Sequence, residues 1–296
     1  MSSFRNIIAN TIHEQRPKLS MSSLKTYVST LVNLHKKLAN SDTENIDWFQ
    51  THANEILDYL KNTPPKQRKS ILAALYVLTN ETVFRGLMIS DCKTTNDEYK
   101  DQKKDDKESK NWIEPSEIQR IYEDLKTKVE NMFKHKLILQ TSTVVEFFVL
   151  AFLGGVSGLP PRRSMDYCLL KCRNFDSKKD NYFKAGKLYF HQYKTAAKYG
   201  CQTLDVPVFL QKLMKKWMKL NTSDYFLVSS NNKPLTSPQI SRMLNKLFGK
   251  HVSTDMLRHV FLTKVFQDVP ALRDMEKLAA EMGHSVAQQM LYVKKN

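Results

Sequence analysis

Between Lys93 and Lys110 the chain is polar throughout except for Tyr99, with six basic residues against six acidic ones. A stretch of that composition cannot bury itself, so whatever this 296-residue chain builds must be arranged on either side of it. The reading is a helical domain over 1–92, a charged linker over 93–110 and a larger domain over 111–296. At 41% hydrophobic residues both flanks have enough apolar side chains for cores of their own.

Residues 18–92 have helical punctuation. Leu24, Tyr27, Val28, Leu31, Val32, Leu34 and Leu38 recur at three and four, and the serines before them offer an N-cap. Further short amphipathic pieces follow at Trp48-Phe49, Ile56-Leu57-Leu60 and Ile71 to Leu78, the last after the Pro64-Pro65 break. After the linker, Pro115 suits a first helical turn. An apolar helix spans Phe147 to Leu159, another begins at Asp166 and runs to Lys171, and Val208 to Leu220 alternates an apolar face with a lysine face that reads as solvated. The run Lys187 to Tyr193 alternates and is rich in aromatics, and Thr203 to Pro207 is apolar again, which predicts a β-hairpin. The fold class is mainly α with a small β-sheet or hairpin.

Charge narrows the partner. Lys and Arg number 46 against 30 Asp and Glu, a net charge of +16, and the surplus falls as +3 in 1–92, zero in 93–110 and +13 in 111–296. Such a surface attracts a polyanion and releases its counterions on binding, which makes double-stranded DNA the first partner to consider. Cys92, Cys168, Cys172 and Cys201 are too few and too irregular for a disulfide framework or a four-ligand zinc site. Cys168 and Cys172, at i,i+4 on the expected helix, read as core. No apolar signal region opens the chain, and no run reaches the ~18 apolar residues of a membrane span. An intracellular protein working at DNA, with no membrane partner, is the expectation.

Displacing a phosphodiester oxygen with a side-chain hydroxyl needs cations for the nonbridging oxygens, an acid for the leaving oxygen and a nucleophile in line. The chain offers these in order. Arg162-Arg163 follow Gly158-Leu159-Pro160-Pro161, Lys194 stands at Tyr193-Lys194-Thr195, and Arg258, His284 and Tyr292 close the sequence. On these residues the chain resembles the tyrosine recombinases, or phage-integrase family, over nearly all its length. In that family an acidic residue lies three positions after the first catalytic arginine, which matches Arg163 with Asp166 and not Arg162. The Leu-Arg-His run matches at Leu257-Arg258-His259, the Gly-His-Ser run at Gly283-His284-Ser285, and the nucleophile at Tyr292, eight residues past His284. Lys194 matches the hairpin lysine that serves the family as general acid.

The resemblance implies a two-domain DNA clamp with 1–92 as the core-binding domain and 111–296 as the catalytic domain. It implies a site-specific recombinase or integrase that works through a 3′-phosphotyrosyl intermediate, without metal or nucleotide cofactor, and self-associates on DNA as a tetramer. The Pro160-Pro161-Arg162-Arg163 run with Asp166-Tyr167 also looks like recombinases of large DNA viruses and mobile elements. Two departures stand out. Asp255 occupies the position three before the second arginine where the family commonly has His or Lys. It can accept the tyrosine proton, orient a neighbour or pair with Arg258, with His251 or His259 substituting. Only four residues follow Tyr292, too few for the family's docking helix, which weakens the tetramer expectation. A type IB topoisomerase-like relaxase and a DNA-binding relative that has lost catalysis are the alternative readings.

Overall fold

The computed structural model describes residues 3–39, 45–100, 103–135, 140–267 and 272–294. The chain divides into two units, Met1–Asp101 and Gln102–Asn296.

The first unit is helical, with α1 (Ser3–Gln15), α2 (Met21–Leu38), α3 (Trp48–Thr51), α4 (Ala53–Leu60), α5 (Pro65–Thr79) and α6 (Thr82–Lys100). Ser20 caps α2, its Oγ accepting the Ser23 N–H at 3.1 Å. Phe4, Ile8 and Ile12, four apart on α1, pack with Leu24, Val28 and Leu31 of α2 and with Leu72 and Leu75 of α5 in one core. Helix α6 carries the polar stretch as far as Lys100 because its inner face has partners. Asp91 is buried and takes a bidentate pair from Arg68 at 2.7 and 2.8 Å, and Thr95 is fully buried with its hydroxyl on the Asp91 carbonyl. Asp101 and Gln102, inside the expected linker, lie outside the described residues.

The second unit opens on α7 (Asp106–Asn111), α8 (Pro115–His135), α9 (Thr141–Leu153) and α10 (Ser164–Cys168). Next come β1 (Leu170–Lys171), β2 (Asn181–Lys184), β3 (Lys187–Phe190), α11 (Ala196–Tyr199) and β4 (Gln202–Asp205). The chain continues through α12 (Val208–Leu220), α13 (Ser237–Phe248), α14 (Thr254–Val265), α15 (Leu272–Met282) and α16 (Val286–Met290). The strands lie in the order β1-β2-β3-β4, the first pair parallel and the others antiparallel. Leu188 and Phe190 of β3 turn into the core, while Tyr189 stacks on Tyr182 across the β2–β3 pair. Helix α9 forms the centre, with every residue from Phe147 to Leu153 fully buried.

Three local expectations change. The apolar helix starts at Thr141 and stops at Leu153 rather than Leu159, because Gly155 adopts φ +69° with the Phe261 ring so close that a Cβ would meet it at 2.3 Å. The helix expected from Asp166 to Lys171 ends at Cys168. Leu170 and Lys171 instead pair with β2, and the Leu170 carbonyl accepts from Phe226. Cys168 and Cys172 are therefore buried but share no helical face. The expected hairpin is the β3–β4 pair, with Leu188 opposite Leu204, but Lys194 lies in the connection between those strands rather than on one of them. β2, joined to β3 through Ala185-Gly186 at positive φ, was not foreseen.

Asn181 ties this sheet to the segments around it. Fully buried on β2, it donates through Nδ2 to the carbonyls of Asp166 and Gln192 at 2.9 and 2.8 Å. Its Oδ1 accepts the N–H groups of His191 and Gln192 at 2.8 and 2.7 Å. Asn181→Ala strands those backbone groups, and the expected loss is about 2–4 kcal/mol in urea denaturation. A loss below about 1 kcal/mol would show that water replaces the side chain without cost.

Candidate active site

Each candidate residue is placed by a local rule. Ser285 and its neighbours show it best. Gly283, at φ +75°, ends α15 in a Schellman arrangement, with the Gly283 N–H on the Ala280 carbonyl and the His284 N–H on the Ala279 carbonyl, both at 3.0 Å. Ser285 then caps α16, its Oγ accepting the Gln288 N–H at 3.2 Å. A glycine to turn the chain and a serine to restart a helix leave His284 at the corner between them. One short helix later the chain has come back on itself, so that the Tyr292 ring meets the His284 ring edge-on at 5.4 Å.

Arg258 lies on α14, whose N-cap is Ser253. Its side chain is 2% exposed, with Nη1 on Asp255 Oδ1 at 3.3 Å and the guanidinium carbon 4.7 Å from the Tyr292 ring centre. Nε and Nη2 of Arg258 and Nε2 of His284 have no hydrogen-bond partner among the described residues. Buried polar atoms are ordinarily satisfied, so two guanidinium donors and one imidazole nitrogen left open beside one phenol mark a place suited to an anion and to a proton in transfer. Asp255, well exposed on the first turn of α14, touches Arg258 and stands 3.9 Å from His259 Nε2. His251 is exposed ahead of α14, and its backbone N–H is held by Asn111 Oδ1 at 3.1 Å.

The two adjacent arginines divide their work. Arg162 is fully buried. Its Nε binds Asp166 at 2.9 Å, its Nη1 binds Gln202 Oε1 at 2.8 Å and the Glu281 carbonyl at 2.6 Å, and its plane lies against Phe190 and Tyr193. Burial pushes the Asp166 carboxyl up, and Arg162 opposes that shift. Arg163, at the N-cap position of α10, is half-buried, and its side chain makes no hydrogen bond or ion pair with a described residue. Asp166, by whose spacing Arg163 is singled out, is thus bound to Arg162, and the guanidinium of Arg163 stays open to a ligand.

Lys194 is exposed and likewise has no described partner. Its neighbours fix its place. The Tyr193 hydroxyl donates to the Gly200 carbonyl at 2.7 Å while its ring lies over Arg162, and Thr195 Oγ1 donates to the Gly283 carbonyl at 3.1 Å. The loop bearing Lys194 is thereby tied to the corner that presents His284. An open cleft of about 370 Å³, lined in part by Gln202, Ala280, His284 and Ser285, lies beside that corner.

Arg162, Gln202, Glu108 and Lys294 hold the site together, and sequence reasoning did not single them out. Only Asp105 and Glu108 left a signal, the acidic pair at capping-box spacing that starts α7. Among the described residues no group of three or more His, Cys, Asp or Glu side chains is arranged to hold a metal ion. No described helix is long and apolar enough to cross a membrane.

Burial, then Arg258, push the His284 imidazole down to about 4, with Arg163 and Arg162 adding and the Ser285 carbonyl opposing. Its Nδ1 donates to that carbonyl at 3.3 Å, so at neutral pH Nε2 carries a lone pair. Folded His284 binds its proton more weakly than the unfolded chain does. Stability from this group is full above the ordinary 6.5 and is lost as pH falls toward about 4. The slope is at most about 1.4 kcal/mol per pH unit. NMR titration should place the His284 midpoint near 4, and a midpoint in the ordinary histidine range would refute the buried, arginine-flanked environment.

No protein-family model matches the chain, and no curated protein matches it in sequence. Solved structures do. A lambda integrase dimer bound to a COC′ core site superposes with a TM-score of 0.55 at 15% identity, covering 98% of this chain and 77% of that one. Residues 75–356 of lambda integrase, also a dimer on a COC′ core site, give 0.53 at 15% identity, covering 96% and 94%. A lambda integrase tetramer bound to a Holliday junction gives 0.54 at 14% identity, covering 95% and 76%. Identity this low speaks to architecture alone, and the architecture is that of the tyrosine recombinases.

Proposed function

We propose that the protein is a site-specific DNA strand transferase with Tyr292 as its nucleophile. The observation that carries this reading is the convergence of Arg258 and His284, with their unpartnered donor and acceptor atoms, on the Tyr292 ring. Tyr292 Oη attacks the phosphorus, a tyrosyl P–O bond forms and the bond to the 5′ oxygen breaks. Arg163 and Arg258 hold the nonbridging oxygens as charge redistributes, and Lys194 gives its proton to the departing 5′ oxygen. Neutral His284 accepts the phenol proton at Nε2 and becomes a cation beside the same oxygens. Asp255 is already engaged by Arg258 and serves to orient it. The bond energy stays in the 3′-phosphotyrosyl link, and attack by a second strand's 5′ hydroxyl completes the exchange.

In this reading the first unit is the core-binding domain, the second the catalytic one, and the basic surplus of the second half supplies phosphate contacts. The dimer and tetramer in the lambda integrase structures support self-association on DNA.

Nicked suicide duplexes cut from the DNA flanking the protein's own gene should trap a covalent adduct that Tyr292→Phe abolishes. An adduct that survives this change removes Tyr292 from the reaction. Lys194→Ala should slow adduct formation by about 10²-fold or more. Replacing the 5′ bridging oxygen with sulfur should restore the rate, because a thiolate leaves without a proton. Equal slowing on both substrates would deny Lys194 the role of acid. Relaxation of any supercoiled plasmid, without site dependence, would favour a topoisomerase-like activity, and sequence-specific binding with no adduct would favour a relative that has lost catalysis.

A further inference from the structure

The segment that carries Tyr292 is held from a distance by one carboxylate on the first helix of the second unit. Glu108 of α7 accepts from His259 Nδ1 through Oε1 at 3.0 Å, and its Oε2 lies 3.6 Å from Lys294 Nζ. The same Oε2 accepts the Asp105 N–H at 3.1 Å, so that the capping box of α7 fixes the side chain. Glu108 therefore grips residues on both sides of the nucleophile. His259 follows Arg258 and has its ring 5.1 Å from that of Tyr292. Lys294 comes two residues after Tyr292, and its side chain is 3% exposed. The Lys294 N–H also bonds Thr263 Oγ1 at 3.1 Å, and Val293 packs with Leu262 and Met282.

Resting on the strand-transfer reading above, we propose that Glu108 is a positioning residue that latches Tyr292 over Arg258 by holding Lys294 and His259. A buried ammonium is tolerated where anions face it. Loss of the Glu108 charge raises the cost of keeping Lys294 inside, and the chain lowers that cost by releasing the segment, Tyr292 with it. Methionine at 294 fills the same slot with no charge to release. The segment then stays in place whether or not Glu108 is ionised.

The test uses the full chain as Glu108→Gln, Lys294→Met and the double variant, at saturating nicked duplex. Glu108→Gln should slow adduct formation about tenfold or more, with duplex affinity unchanged and faster hydrogen exchange at the Lys294 amide. The double variant should recover most of the lost rate and the slow exchange, which a general loss of stability would not produce. Unchanged rate and exchange in Glu108→Gln, or losses that multiply in the double variant, would overturn the latch. If the wild-type protein itself forms no adduct, the strand-transfer reading fails by itself. Amide exchange, faster in Glu108→Gln and restored in the double variant, still decides the latch. Where Glu108→Gln is too unstable for kinetics, Glu108→Asp keeps the charge one methylene short and should show a smaller effect in the same direction.

Discussion

One buried guanidinium holds the candidate site together. Arg162 reaches from the start of α10 to Gln202 on β4 and to the last turn of α15, while its flat faces lie on Phe190 and Tyr193. Those segments come from three separate parts of the sequence, and each carries or adjoins a candidate group: Arg163 next in the chain, Lys194 in the loop after β3, and His284 past the end of α15. A charge with no solvent around it is tolerated only where neighbours of fixed geometry offset it. Its neighbours are therefore fixed too. Asp166 supplies the countercharge and Gln202 relays the network, donating from Nε2 to the Ala280 carbonyl at 2.9 Å.

Around that anchor the polar groups fall into two kinds. Arg162, Asp166, Asn181 and Gln202 direct hydrogen bonds at one another and at backbone groups, with only Arg162 Nη2 and Asp166 Oδ1 of these side chains left open among the described residues. Arg163, Lys194, Arg258 and His284 keep at least one cationic or imidazole atom unpartnered among the described residues. The first kind is what rigidity requires and the second what a transient anion requires. His284 shows how the surroundings set the chemistry, since burial, and after it the same arginines that suit a phosphate, hold the imidazole neutral. An incoming phosphodiester, bringing negative charge, acts on that balance in the opposite sense.

Much of this was legible along the chain. Helices α2, α4, α5 and α12 follow from apolar recurrence at three and four, the first with its cap at Ser20 and the third after the Pro64-Pro65 break. The Gly-His-Ser turn is readable because each residue satisfies a local backbone need. Other parts were not. β1 and β2 are two and four residues long, too short for alternation to show, and β1 is held in part by Phe226, far along the chain. The polar stretch 93–110 contains Thr95 and Glu108, one buried with its hydroxyl on the Asp91 carbonyl, the other facing His259 and Lys294. Composition shows a residue's cost of burial and nothing of the partner that offsets it.

The sequence by itself determined the residue types and their order: an arginine pair after an apolar helix, a lysine between two strand-forming runs, and then Arg258, His284 and Tyr292. The polar stretch 93–110 pointed to a division of the chain, but most of it is helix and Thr95 within it is buried. Tertiary structure alone decided which arginine of the pair is sealed in and which stays open. The choice depends on whether Gln202 and the Glu281 carbonyl arrive beside it, from 40 and 119 residues away. It decided equally that Glu108 faces Lys294. Local rules act over a few residues of backbone, whereas the pairing of buried charges depends on which distant segments the packed core brings within about 3 Å.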